Sequence, residues 1–86
     1  MGLFKKKQTP KGYEQVQGSI VRTVKDEKSP HISYALISFM ADGQRIAELC
    51  KSKPIQTYRT DEIKPGLTVM VTYERNNPRN FYINDI

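Results

Sequence analysis

Apolar residues in this chain alternate with polar ones at a period of two, and no segment sustains the three-to-four spacing of an amphipathic helix over three turns. That pattern restricts the fold to strands and turns. The cleanest case is Leu67–Glu74: Leu67, Val69, Val71 and Tyr73 point one way and Thr68, Met70, Thr72 and Glu74 the other, so one face packs on a core. In Ile32–Met40, Ile32, Tyr34, Leu36 and Met40 share one face and Ala35, Ile37 and Phe39 the other. Both faces are apolar enough to be partly buried, which predicts a central strand with Tyr34 core-facing like Tyr73 and Phe81. Upstream, Val16, Gly18, Ile20, Arg22 and Val24 alternate with Gln17, Ser19 and Thr23, and Gly18 marks a bend or bulge in that strand.

The turns between these runs are equally local. Ala41-Asp42-Gly43-Gln44 is a hairpin signal, because Asp and Gly tolerate the positive φ of a tight turn, and Arg45–Lys51 is the returning strand. Pro54 breaks the pattern before a short edge-strand candidate, Ile55–Tyr58. Thr60-Asp61-Glu62-Ile63 is expected to form one helical turn capped by Thr60, and Lys64-Pro65-Gly66 turns the chain into the next strand. Asn76-Asn77-Pro78 supplies the last turn and Phe81–Ile83 the last strand. The expected fold is all-β: a small five- or six-stranded barrel of OB or SH3 type, or a strongly bent antiparallel sheet.

A chain of 86 residues has room for one core. Residues 1–12 lack sustained periodicity and read as a flexible lysine-rich leader, and residues 13–86 as a single β-barrel-like domain. The charge divides along the same line. Of the formal +5, Lys5, Lys6, Lys7 and Lys11 contribute +4 with no acid among them, leaving ten bases against nine acids, a net +1, for the rest. Such a leader keeps a small protein soluble and allows weak contact with an anionic membrane through Lys5, Lys6 and Lys7. There is no run of roughly 20 apolar residues and no signal-peptide pattern, and Lys6 stands where a myristoylation motif needs Ser or Thr. One cysteine, Cys50, rules out an internal disulfide and a zinc cluster, which suits a reducing cytoplasm.

Catalytic chemistry has little to work with. His31, the only histidine, follows Pro30 in a loop; Asp26-Glu27 and Asp61-Glu62 are adjacent acids in turns; and the glycines are too dispersed for a phosphate loop. The chain reads as a non-enzyme with no cofactor, no metal and no small-molecule substrate. Binding is more plausible chemistry for it. Aromatic side chains that stack bases and cations that track phosphates would make a single-stranded nucleic-acid surface, for which Tyr58, Tyr82, Lys51, Arg59 and Arg79 are the candidates. The near-neutral charge outside the leader favours a different partner, another protein, met along the edge strand Ile55–Tyr58 by strand addition.

Ile37-Ser38-Phe39, Asp42-Gly43-Gln44, Ser52-Lys53-Pro54, Gly66, Val69-Met70-Val71-Thr72-Tyr73 and Asn77-Pro78 follow one another in an order that resembles a family of uncharacterised bacterial β-domains often found beside transmembrane helices. Gly18-Ser19-Ile20-Val21 is similar to that family's first strand, so the resemblance covers roughly residues 13–83. Glu74-Arg75 replaces the family's Asp-Pro, and the membrane helices have no counterpart here. The resemblance implies a compact bacterial β-domain without catalytic residues, associated with the envelope if the chain is part of a membrane-tethered protein.

Overall fold

The computed structural model of the chain describes residues 9–84. The lysines at positions 5–7, most of the expected leader and Asp85 lie outside them. Six strands alternate along the chain: β1 Tyr13–Lys25, β2 Ile32–Ala41, β3 Gln44–Leu49, β4 Ile55–Gln56, β5 Thr68–Glu74 and β6 Asn77–Ile83, with a short 3-10 helix, Thr57–Glu62, after β4. They form one antiparallel sheet in the order β3-β2-β1-β5-β6, and β4 pairs with β2 beyond the end of β3. The middle strand is therefore β1 rather than the expected β2.

Directly opposed residues of an antiparallel pair share a face. The core face carries Ile20 on β1, Ala35, Ile37 and Phe39 on β2, Ile46 on β3, and Val69, Val71 and Tyr73 on β5, closed by Phe81 and Ile83 on β6. The Phe39 ring packs against Phe81 and Tyr73 at centroid separations of 5.1 and 5.6 Å, joining β2 to β5 and β6 through the interior. Cys50, fully buried, continues this face past β3, with its N–H donating to the Ala35 carbonyl.

Tyr34 is the first correction. The buried apolar members of β2 are Ala35, Ile37, Phe39 and Ala41, so Tyr34, Leu36 and Met40 stand on the outer face. The second concerns β1, where the bend or bulge was expected at Gly18 and Arg22 and Val24 were expected to share the face of Ile20. Ile20 opposes Ile37 and Arg22 opposes Leu36, which leaves Val21 as an extra residue in a β-bulge. A bulge inverts every later side chain, so Arg22 and Val24 face outward although Ile20 faces the core. The bulge lies where β1 parts from β5: the Ile20 N–H donates to the Leu67 carbonyl, and the Gly66 N–H donates to the Ile20 carbonyl.

The turns shift as well. Asp42 and Gly43 take φ of 56° and 80°, the pair required by the two-residue hairpin expected there. The expected edge strand Ile55–Tyr58 contracts to Ile55–Gln56, because Thr57 already begins the 3-10 helix, tied down by its hydroxyl to the Pro30 carbonyl and by its N–H to the His31 carbonyl. Thr60 is inside that helix and is not its cap; its hydroxyl donates to the Thr57 carbonyl. The last turn is Arg75-Asn76, not Asn76-Asn77-Pro78. Asn77 already pairs with Glu74, and residues 78–80 bulge out before Phe81 rejoins Tyr73, which lets Pro78 stand in a strand without breaking a ladder bond.

Candidate binding face

The two edges of the sheet, β3 and β6, come near each other without pairing, and one ion pair, Arg79 with Glu48, spans them. Glu48 opposes Ile37 and so stands on the core side of β3, and its pair with Arg79 covers the seam between the edges. The outer edge of β3 stays unpaired. In a hairpin with a two-residue turn the flanking residues Ala41 and Gln44 exchange hydrogen bonds, and the pattern then recurs every second residue. Ile46 and Glu48 therefore bond to β2, as the Cys50 N–H does, while the backbone groups of Arg45, Ala47 and Leu49 point away from the sheet.

The side chains of those same three residues stand on the outer face. Register extends that face across β2 and β1: Ala47 opposes Ser38, which opposes Ser19; Leu49 opposes Leu36, which opposes Arg22; Val24 opposes Tyr34. At its centre is a half-buried apolar ridge of Leu36 and Leu49. Two hollows flank it. One, of about 280 Å³, is lined by Gln17, Ser19, Ser38, Met40, Arg45 and Thr68, and the other, of about 400 Å³, lies between Val24, Tyr34, Leu49, Lys51 and the charged loop of Lys25, Asp26, Glu27 and Lys28. In the second the Lys51 Nζ sits 5.2 Å from the centroid of the Tyr34 ring, a cation–π contact.

Charge is unevenly distributed over the molecule. Arg59, Arg75 and Arg79 each meet a carboxylate, of Glu62, Glu14 and Glu48 respectively. Arg22, Arg45 and Lys51 on the outer face make no ion pair with a described residue, and the strand positions of β1, β2 and β3 on that face carry no acid from Gln17 to Val24, from Ile32 to Met40 or from Arg45 to Leu49. A basic surface is thus present despite the near-neutral total. Sequence alternation alone did not reveal it, because the Val21 bulge is what turns Arg22 outward.

The candidate residues for nucleic-acid stacking are dispersed. Lys51 belongs to the outer face, held over Tyr34. Tyr58, 81% exposed, and Arg59, bound to Glu62, sit on the 3-10 helix. Tyr82 lies on the outer side of β6 with its ring 6.3 Å from that of Tyr13, and Arg79 is engaged at the seam. A groove of about 400 Å³ beside the 3-10 helix, between Lys53 and Leu67, has Arg59 on its rim. Its guanidinium is already spent on Glu62.

Among the described residues no three His, Cys, Asp or Glu are grouped to hold a metal ion, and no helix is long and apolar enough to cross a membrane. Burial, then the hydrogen bond its hydroxyl donates to Glu14 at 3.0 Å, pushes the Tyr73 phenol above the usual value of 10.0. That arrangement holds a neutral phenol in the core wall. Comparison of the chain with protein-family models, curated proteins and solved structures finds no match.

Proposed function

We propose that the chain is a non-catalytic interaction module whose partner is another protein, received as an extended, acidic segment across the outer face of β3, β2 and β1. The observation that carries this reading is the composition of that face. An aliphatic ridge is flanked by three cations with no carboxylate partner, next to a strand edge whose backbone donors and acceptors at Arg45, Ala47 and Leu49 are free to pair. An apolar centre with charged margins and an edge for main-chain hydrogen bonds is how strand-adding modules bind peptides. The docking edge is β3, in place of the Ile55–Tyr58 strand expected from sequence; β4, two residues long, is too short a template. Self-pairing of two β3 edges is disfavoured because it would bring Arg45 and Lys51 of both copies to one side.

A titration of the isotope-labelled chain with an octapeptide of alternating Glu and Val, followed by NMR, tests the proposal. Shifts are expected at the amides of Arg45, Ala47 and Leu49 and at Leu36. Shifts confined to other surfaces, or none at millimolar peptide, would sink it.

A second reading, single-stranded nucleic-acid binding, draws support from the connectivity. The order β3-β2-β1-β5-β6, with a helical turn between the third strand and β5, is that of a five-stranded OB barrel, whose second and third strands offer such a face to oligonucleotides. Against it stands the shortage of open aromatic faces, since the Tyr34 ring is capped by Lys51 and Tyr58 and Tyr82 lie elsewhere. An eight-nucleotide thymidine oligomer at low salt, in the same titration, discriminates the two.

A further inference from the structure

We infer that the hollow beside Arg45 is a carboxylate-anchoring subsite for an acidic side chain of the partner segment, an inference that rests on the protein-binding reading above. Three observations converge there. The Arg45 Nη1 donates to the Ser38 Oγ at 3.0 Å, which holds the guanidinium down on the sheet instead of leaving it to sample solvent. Ser38 is 8% exposed, and by accepting from Arg45 its hydroxyl keeps its own proton available to donate. Ser19 and Thr68, which oppose each other across β1 and β5, add two hydroxyls that bond to no other described residue.

The hollow is thus surrounded by donors. An arginine with several unused N–H groups in a planar fork and a set of hydroxyl protons match the two oxygens of a carboxylate. Met40, 44% exposed, forms one wall, and contact with it lowers the local dielectric around a seated anion and strengthens those bonds. The Lys51 hollow lacks this preorganised character, because its cation is engaged with the Tyr34 ring. The two hollows therefore differ: the one beside Arg45 has a fixed cation and no acid in its lining, whereas the one beside Lys51 is also lined by Asp26 and Glu27.

The test repeats the titration with the Glu-Val octapeptide on the wild-type chain and on Arg45→Gln and Ser38→Ala variants. A parallel arm uses the same peptide with Gln in place of Glu, and another the thymidine oligomer. In wild type, the Arg45 Nε–H resonance and the amides of Ser19, Ser38 and Thr68 are expected to shift together. Arg45→Gln should weaken binding roughly tenfold, the scale of a lost charge-assisted hydrogen bond, and the Gln peptide should show the same loss against wild type and none against the variant. Arg45 is exposed, so the fold should tolerate its replacement; Arg45→Lys, keeping charge without the fork, should recover only part of the affinity. Unchanged affinity in Arg45→Gln, with shifts still present along β3, would overturn the subsite and leave the module reading standing. Absence of any shift would overturn both, and a response to the oligomer alone would overturn the carboxylate in favour of a phosphate.

Discussion

Position 18 has room for a hydrogen and nothing larger. A Cβ there would lie 2.8 Å from the Ser38 carbonyl oxygen, 2.9 Å from Val71 Cγ2 and 3.1 Å from Phe39 Cβ, so β1 packs against β2 and β5 at backbone distance. Gly18→Ala should lower stability by about 1–3 kcal/mol, the range for overpacking a site whose neighbours are backbone and core. Urea denaturation measures it, and a cost within the ~0.5 kcal/mol typical of surface changes would mean that the strands part freely. Tyr73 carries a different prediction, in pH. Its phenol is raised above 10.0 in the folded chain, first by burial and then by Glu14, so the folded state holds its proton more tightly than the unfolded state. Stability from this group is full below pH 10 and is lost as pH rises through the folded value. Tyr73→Phe should flatten the alkaline limb of a stability–pH curve; an identical limb in both proteins would refute the linkage.

Among the elements, what alternation can carry was legible in the sequence, and what an inserted residue changes was not. The strands and the Asp42-Gly43 hairpin follow from period and turn chemistry that belong to neighbouring residues. The Val21 bulge depends on where β1 must leave β5, a tertiary demand, and it inverts Arg22 and Val24 without altering any local signal. In the same way Thr57 is drawn into the 3-10 helix by Pro30 and His31, 27 and 26 residues earlier. The face proposed for binding depends on that bulge, which is why sequence alternation pointed to Tyr58, Arg59 and Arg79 and left Arg22 on the face of Ile20. The edge status of β3 makes an element-scale prediction. Its amides should alternate in hydrogen exchange, with Arg45, Ala47 and Leu49 exchanging near the unprotected rate and Ile46, Glu48 and Cys50 protected through β2. Uniform protection along β3 would reveal a second chain already paired there.

At the scale of the whole molecule, the open question is how firmly the curled sheet holds its two edges together. Glu48 on β3 and Arg79 on β6 are the ion pair across the seam, and their side chains remain 37% and 61% exposed. Water therefore screens the pair, and its net contribution should fall within the roughly 0–1 kcal/mol of exposed salt bridges. Most of the closure must come from beneath it, where Phe39 on β2 packs against Phe81 on β6. The two contributions separate in a double-mutant cycle. Glu48→Gln, Arg79→Gln and the double variant should show a coupling below about 1 kcal/mol that shrinks as salt is added, whereas Phe81→Ala should cost about 3–5 kcal/mol, as large aromatic truncations in a core do. A coupling of several kcal/mol, insensitive to salt, would require a dehydrated seam. The edges would then be sealed, and a partner strand pairing with β3 would first have to break that seal. A weak, salt-sensitive pair leaves β3 ready to accept one, so the cycle bears on the docking edge as directly as it does on stability.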